Sequence, residues 1–349
     1  MGQAGYPSVI LYRSMRERIR ISPERYFVVA AVALVALTVI VFTGAAVRVT
    51  GSGLGCPHWP ECYSNGRLVA ELNSHAWIEF GNRMFTGFVA LAAIAAGLLA
   101  FFRVPFRRDL AVLGVLLPLG VVGQAVMGGL TVLYGLAPGW VMGHYLLSMT
   151  ILVAAGALAW RARPAFADGE EPAADRATAR AVWALFALGA VTIFAGTAAT
   201  AAGPHAGGEG TGDVVHRFTF KGASTVNWLI NRHGVLAAAL GVLAVATWWL
   251  ARRREADREL RVRLTRICLL LAAQGVVGIL QFQLDLPAEV VWVHVALATL
   301  TWVGVVLAAM QVGAPSRAPA RRYERPVARV MSEAKPSAPV FSTGRRGSP

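Results

Sequence analysis

Apolar runs of about 18 or more residues recur along this chain, separated by polar or glycine-rich segments. A run of that length without charged side chains is long enough to cross the hydrocarbon core of a bilayer as a helix. The sequence therefore predicts an all-α integral membrane protein with eight transmembrane helices. The predicted spans are 27–47, 84–102, 110–131, 141–160, 181–202, 233–250, 267–284 and 290–312.

The polar segments predict how the chain is organised. Residues 1–26 form a basic leader, and 313–349 form a tail whose Pro, Ser and Arg content is typical of disorder. Residues 161–180 carry four acidic side chains among alanines and are expected to be a linker. The linker separates two expected four-helix bundles, 27–160 and 181–312. Each bundle has a long outer loop, a short inner loop and a short outer turn.

The distribution of positive charge predicts the orientation. The net charge of +14 would suit a nucleic-acid partner, but 27 of the 33 lysines and arginines lie in segments on one side of the predicted membrane. That side is the cytoplasmic one by the positive-inside rule, and both chain ends lie there. Topology thus accounts for the basicity. We expect a multi-pass protein of the cell membrane, surrounded by lipid and without a nucleic-acid partner.

One motif is written twice, once in each predicted half. Residues 124–128 (Gln-Ala-Val-Met-Gly) precede His144, and residues 274–278 (Gln-Gly-Val-Val-Gly) precede His294. The glutamine and the histidine are 20 residues apart in both copies. Because each half has an even number of spans, both halves enter the membrane in the same direction. The sequence therefore predicts a parallel repeat, related by an axis along the membrane normal.

The second, fourth, sixth and eighth spans carry unusual polar residues near their outer ends. These residues are Glu79, Asn82, His144, His233 and His294. A histidine inside a membrane is costly to keep, which favours a ligand-binding role. Imidazole binds iron, copper and zinc, and an apolar bundle with paired histidines and no thiolates fits haem best. We predict that His233 and His294 bind one haem iron; the alternative is that they are hydrogen-bonded structural histidines.

Other polar residues near the outer boundary have two interpretations each. Glu79 and Asn82 are three residues apart and share one helical face, where the carboxylate is either functional or simply solvated. Arg48 and Arg83 either pair with haem propionates or reach to the membrane surface as snorkelling cations.

Cys56 and Cys62 share the first outer loop, on the oxidising side of the membrane. Their spacing favours a small disulfide-closed loop. Two free thiols are the alternative. A zinc site is less favoured, because only His58 lies nearby as a third ligand.

Several segments resemble the heme A synthase family. Residues 47–62, which contain Gly-Cys-Pro-His-Trp-Pro-Glu-Cys, resemble the first outer loop of that family, and 78–83 resemble the start of its second span. Residues 203–207 (Gly-Pro-His-Ala-Gly) and the two histidine segments fit as well. The resemblance covers roughly residues 30–312, the whole predicted membrane body.

The resemblance implies a function and a set of sites. Members of the family oxidise the methyl group of heme O to the formyl group of heme A, for insertion into terminal oxidases. It implies a haem b cofactor on His233 and His294 in the C-terminal half. It also implies a substrate haem site in the N-terminal half, with His144 and Glu79 at the family's site positions. Expected partners are heme O, the enzyme that makes it and an electron-transfer protein, and a homo-oligomer is compatible with the family.

The resemblance also implies that Cys56 and Cys62 form a disulfide, but the sequence departs from the family at Asn82. Many members have a histidine there, directly before an arginine. An amide is a poor iron ligand, so the substrate haem would have at most one protein imidazole, from His144. A vacant axial position suits oxygen or water chemistry at iron, or it marks an altered site. His233 follows an arginine instead of preceding one, so its match is less direct than that of His294.

The chemistry of the implied reaction gives Glu79 a role. Oxidising a methyl group on a conjugated ring develops positive charge at that carbon, and a carboxylate there would stabilise the charge or accept a proton. Glu79 is therefore the predicted catalytic residue. The alternative function is a membrane b-type cytochrome that only transfers electrons, which would keep paired histidines in both halves. A repeat-built transporter is a third interpretation and predicts paired charges at mid-membrane.

Overall fold

A computed structural model describes residues 20–67, 69–70, 74–166 and 174–313. The expectations for most of the leader, for the middle of the linker and for the tail lie outside these residues. Within them all the regular secondary structure is helical, and the only β-type pairing is an isolated bridge between Ile21 and Arg103. Two short 3₁₀ helices, Pro164–Phe166 and Gly222–Ser224, accompany the long ones.

Eight long helices are present, each long and apolar enough to cross a membrane, with mean hydropathy from 1.6 to 2.7. They are α1 (Pro23–Val49), α2 (Ser74–Ala100), α3 (Arg108–Leu133), α4 (Pro138–Arg161), α5 (Arg176–Ala202), α6 (Thr225–Arg253), α7 (Arg258–Gln283) and α8 (Ala288–Val312). The predicted all-α fold with eight spans is confirmed, and the chain is a multi-pass membrane protein.

The starts of three helices lie well before the predicted apolar runs. Helix α2 begins at Ser74 instead of 84, α6 at Thr225 instead of 233, and α7 at Arg258 instead of 267. The first turns of α7 are charged, and the Asp257 carboxylate caps them by accepting hydrogen bonds from backbone N–H groups. A search for apolar runs does not detect polar first turns of this kind. In α2 the undetected turns contain the candidate site residues Glu79 and Asn82.

Buried apolar side chains form two main clusters. The first lies among α1, α2, α3 and α4 and also takes in Trp302 and Val306 of α8, and the second lies among α5, α6, α7 and α8. Small residues bring helices into close contact, since a methyl group added at Gly114 of α3 would lie 2.8 Å from the carbonyl oxygen of Ala96 on α2. Lipid tails are as apolar as leucine side chains, so the hydrophobic effect does not drive membrane helices together. Close approach of their backbones stabilises the pair through van der Waals contact instead.

Helix α8 is hydrogen-bonded to helices of the first half of the chain. The indole N–H of Trp302 donates to the carbonyl of Met149 on α4, at 3.0 Å. The indole N–H of Trp292 donates to the carbonyl of Phe42 on α1, at 2.9 Å. Trp292 precedes His294 by two residues, so this second bond fixes α8 close to one of the candidate histidines.

Candidate functional site

The repeated motif makes the same hydrogen bond in both halves. The Gln124 amide donates to the carbonyl of His144 at 3.0 Å, joining α3 to α4. The Gln274 amide donates to the carbonyl of His294 at the same distance, joining α7 to α8. The fixed spacing from glutamine to histidine therefore corresponds to one interhelical contact, formed twice.

Each of the three candidate histidines rests against a glycine of a neighbouring helix. A methyl group at Gly128 would lie 3.3 Å from Cε1 of His144, and one at Gly278 would lie 3.3 Å from Cε1 of His294. A methyl group at Gly196 on α5 would lie 3.0 Å from Cε1 of His233. A larger residue at any of these three glycines would push against the imidazole beside it.

The structure brings His233 and His294 together. Their ring centroids are 6.1 Å apart, with the ring planes at 72°. Nδ1 of His233 lies 3.1 Å from the carbonyl oxygen of Thr192, so Nδ1–H donates and Nε2 keeps its lone pair for a metal. Two imidazoles bound to one metal ion through bonds of about 2.0–2.1 Å place their ring centroids about 6 Å apart. The observed centroid spacing would allow both imidazoles to hold one metal ion between them.

The type of metal site follows from the ligands that surround this pair. Among the residues that the structure describes, no group of three or more His, Cys, Asp or Glu side chains is placed to hold a metal ion. A zinc site needs three or four protein ligands, whereas haem iron takes four nitrogens from the porphyrin and only axial ligands from the protein. The donor set of His233 and His294 therefore fits haem.

The first half offers one imidazole where the second half offers two. His144, like His294, has its Nδ1 buried without a hydrogen-bond partner among the described residues. Asn82 accepts a hydrogen bond from the Thr43 hydroxyl at 2.7 Å, so its amide oxygen is already engaged. Gly44, which corresponds to Gly196, has open space where Gly196 has the ring of His233. An electron carrier with paired histidines in both halves would not have this asymmetry.

A disulfide closes the first outer loop, and a buried ion pair anchors that loop to α2. Cys56 and Cys62 are bonded, which confirms the disulfide expectation. The Glu79 carboxylate is only 5% exposed and accepts a hydrogen bond from the Cys56 N–H at 2.8 Å. The Arg83 guanidinium pairs with Glu79, with Nε 3.1 Å from Oε1, and donates to the carbonyls of Cys56 and His58. Sequence reasoning missed this link, for which the four-residue spacing of Glu79 and Arg83 was the available signal.

The other candidate arginine joins the two halves of the chain. Nε of Arg48, at the end of α1, donates to the carbonyl of His205 at 2.9 Å, and its Nη2 donates to the carbonyl of Thr200. The guanidinium groups of Arg48 and Arg83 thus donate to backbone carbonyls of the outer loops, and that of Arg48 also donates to a carbonyl near the end of α5. Their pairing with haem propionates stays a prediction.

The two glycine-rich outer loops are paired with each other. The N–H of Gly53 donates to the carbonyl of Gly207 at 2.8 Å, and the N–H of Gly210 donates to the carbonyl of Gly51 at 3.1 Å. Burial acts to raise the pKa of Glu209, but hydrogen bonds from loop amides outweigh it and hold that pKa below its usual value. The charged carboxylate therefore stabilises this junction at neutral pH.

Arg83→Ala is expected to destabilise the protein and loosen the disulfide loop. The change leaves the buried Glu79 carboxylate unpaired, and breaking a buried ion pair in this way costs about 3–5 kcal/mol. Thermal unfolding in detergent and protease cleavage within the first outer loop measure the two effects. The matched control is Arg232→Ala, at an exposed arginine that follows an asparagine as Arg83 does and lies over the Trp228 ring. Equal unfolding temperatures for both variants would contradict the anchoring role.

Comparison with known proteins gives a family for this arrangement. The family COX15-CtaA, described as cytochrome oxidase assembly protein, matches residues 25–71 and 65–306. Proteins named heme A synthase from Lysinibacillus sphaericus, Listeria welshimeri and Bacillus pumilus are each 34% identical to this chain, over 113, 119 and 101 residues. Those segments cover 32%, 33% and 28% of this chain and 36%, 38% and 32% of the relatives. Because the family match spans most of the chain, the chain belongs to the COX15-CtaA family of cytochrome oxidase assembly proteins.

Proposed function

We propose that this protein is a membrane heme A synthase, an oxidoreductase that converts the methyl group of heme O to the formyl group of heme A for terminal oxidase assembly. The observation that carries the proposal is the asymmetry of the two halves. The second half pairs His233 with His294 at a spacing that suits a resident haem. The first half combines one imidazole, His144, with a buried carboxylate, Glu79, which suits a haem that reacts.

The second half is proposed to hold haem b as cofactor. Such a haem supplies one-electron redox chemistry and allows electrons to pass between the substrate site and an outside partner. The residues prepare this site in three ways. The Thr192 carbonyl fixes the tautomer and orientation of His233. The Gln274 amide fixes the backbone at His294, and Gly278 leaves room for its ring.

The first half is proposed to hold heme O through His144. The neighbouring amide, Asn82, is committed to Thr43 through its oxygen. Glu79 is held by two fixed donors, the Cys56 N–H and the Arg83 guanidinium, so its position does not depend on substrate. A preorganised carboxylate stabilises positive charge as it develops on the reacting carbon, or accepts the proton that leaves it.

The wider organisation is part of the same proposal. Two bundles, 27–160 and 181–312, form a parallel repeat with both chain ends on the cytoplasmic side of the cell membrane. The matched hydrogen bonds from Gln124 and Gln274 support the repeat, and the distribution of Lys and Arg supports the orientation. Heme O is supplied by the enzyme that makes it, and an electron-transfer protein exchanges electrons with the second half.

The proposal is tested with the purified protein, heme O, a reductant and oxygen. We expect the absorption spectrum of the extracted haem to change to that of a formyl-substituted porphyrin. Extracted haem that keeps its methyl group under these conditions would contradict the proposed activity. Boiled protein is the control for oxidation without the enzyme.

Gly196→Ala is expected to weaken haem b binding. The added methyl group would lie 3.0 Å from Cε1 of His233, so the ring must tilt away from the geometry that the Thr192 carbonyl sets. Changes that disturb the orientation of a metal-binding histidine typically cost about 10–100-fold in affinity. Haem content after gel filtration measures the effect. Gly241→Ala, where the new methyl group meets open space, is the control, and equal haem retention in both variants would rule out the role of Gly196.

A further inference from the structure

Trp59 occupies a notch on helix α3. It lies between the two bonded cysteines of the first outer loop, and its indole lies directly against Gly129. A methyl group at Gly129 would lie 2.7 Å from Cδ2 of the indole and 2.9 Å from Cε3. No side chain larger than hydrogen fits under the ring, so the contact requires glycine at this position.

The notch adjoins the residue that carries His144. Gly128 lies against the His144 imidazole, and Gly129, the next residue, lies against Trp59. Successive residues of an α-helix point about 100° apart, since a turn has about 3.6 residues. The indole therefore lies to one side of the imidazole, on the adjacent face of α3.

The second half of the chain has no such notch at the matching position. Gly278 lies against His294 as Gly128 lies against His144, but the next residue is Ile279, whose side chain is 63% exposed. The contact between an indole and a helix glycine thus occurs in the half that is proposed to bind substrate. The half proposed to hold the permanent haem has an isoleucine instead.

The same short loop connects Trp59 to the buried carboxylate. Cys56 begins the disulfide-closed segment and donates its N–H to Glu79, and Arg83 holds the carbonyl of His58, which precedes Trp59. The loop is therefore fixed to α2 at one end and to α3 through the indole. One face of the indole is covered by Gly129, yet 39% of the residue stays exposed.

We propose that Trp59 is a substrate-positioning residue whose indole forms the outer wall of the first-half site. Its exposed surface packs against the flat apolar ring system of the substrate haem and holds it beside His144. An aromatic side chain of this size buries a large apolar area and prefers stacked or edge-on contact with another ring system. This inference rests on the proposed function, because it takes the first half as the site for heme O.

The experiment measures heme O binding and oxidation by the purified full-length protein, with heme O itself as the probe. In Trp59→Ala we expect the dissociation constant and KM for heme O to rise at least about tenfold, because the ring contact is lost. The value of kcat should fall much less, since Glu79 and His144 stay in place. Trp59→Phe, which keeps an aromatic ring, should restore most of the affinity. The haem b spectrum and stoichiometry should match the wild-type protein in both variants.

A second variant tests the contact between Trp59 and Gly129 without removing the indole. Gly129→Ala should raise the dissociation constant as Trp59→Ala does, because the methyl group displaces the ring. Gly87→Ala on α2, where the new methyl group meets open space, should bind heme O as the wild-type protein does. Gly129→Ala adds only one methyl group, so it still tests the role of the Trp59 indole if Trp59→Ala fails to fold.

The outcomes separate this inference from the proposed function. Wild-type affinity for heme O in both Trp59→Ala and Gly129→Ala would overturn the inference, and so would equal losses of heme O and haem b, which indicate a general structural defect. A wild-type protein that binds heme O without oxidising it would instead contradict the proposed function. In that case the binding data alone would decide the role of Trp59.

Discussion

His294→Ala is expected to remove haem b from the second half of the protein and abolish the oxidation of heme O. The variant leaves His233 as the only imidazole of a pair whose centroids are 6.1 Å apart. Loss of one of the two imidazoles that are proposed to hold the haem should weaken haem binding by more than the about 10–100-fold that is typical of changes to residues that only orient a metal ligand. The hydrogen bond from Gln274 goes to the backbone carbonyl of His294 and survives the change, so the helix pair should remain folded.

The measurement for this variant is the reduced-minus-oxidised spectrum together with the haem content per chain. We expect the low-spin haem b signal to disappear. The control is His216→Ala, at an exposed histidine of the second outer loop, which should keep the full signal. An unchanged low-spin spectrum in His294→Ala would show that another residue binds the iron.

Glu79→Gln is expected to stop oxidation while leaving both haem sites able to bind. Glutamine has nearly the same shape, and its single amide oxygen can still accept the hydrogen bond from the Cys56 N–H, while its NH2 group replaces the oxygen that faced Arg83. The hydrogen bonds from Arg83 to the carbonyls of Cys56 and His58 do not involve Glu79 and keep the disulfide loop in place. The negative charge is lost while Arg83 stays, so the site changes from neutral to positive, which opposes charge development at the reacting carbon. Removing a group that acts in this way typically costs about 10²–10⁴-fold in rate.

The yield of heme A from supplied heme O, at matched heme O occupancy, measures this prediction. Glu289→Gln, at an exposed carboxylate in the first turn of α8, is the control and should leave the yield unchanged. Glu79→Ala should lose activity in the same way and also loosen the loop, since it removes the acceptor for Cys56. Normal heme A yield from Glu79→Gln would show that the carboxylate serves only to anchor the loop.

The membrane spans were predictable from sequence because their signal is long and local. Eight apolar runs gave eight helices, and errors occurred where a helix begins with polar turns, as in α2 and α7. The repeated motif was also readable, because one glutamine-to-histidine spacing produces the same interhelical bond in both halves; the parallel arrangement of the halves stays a prediction. The pairing of His233 with His294 followed from their matched depth, although the surrounding sequence of His233 is atypical.

The connections of the first outer loop were not predictable in the same way. Glu79 binds the backbone of Cys56, 23 residues earlier, and no local pattern encodes which loop amide meets a carboxylate. Asn82 was expected to be a poor iron ligand, but its bond to Thr43 depends on how α1 packs against α2. The contact of Trp59 with Gly129 has one weak signal in the sequence, because the matching position in the second copy of the motif is Ile279. Only the structure shows that the indole lies against Gly129.

The measurement that tests the central claim most directly is haem extraction and chromatography from the purified protein. The protein is expressed in cells with and without an enzyme that makes heme O, with reductant and oxygen present. The account predicts haem b in both preparations and heme A only when heme O is supplied. Haem b with heme O that is bound or ignored but never oxidised would contradict the synthase function, and a preparation without any haem would contradict both haem sites.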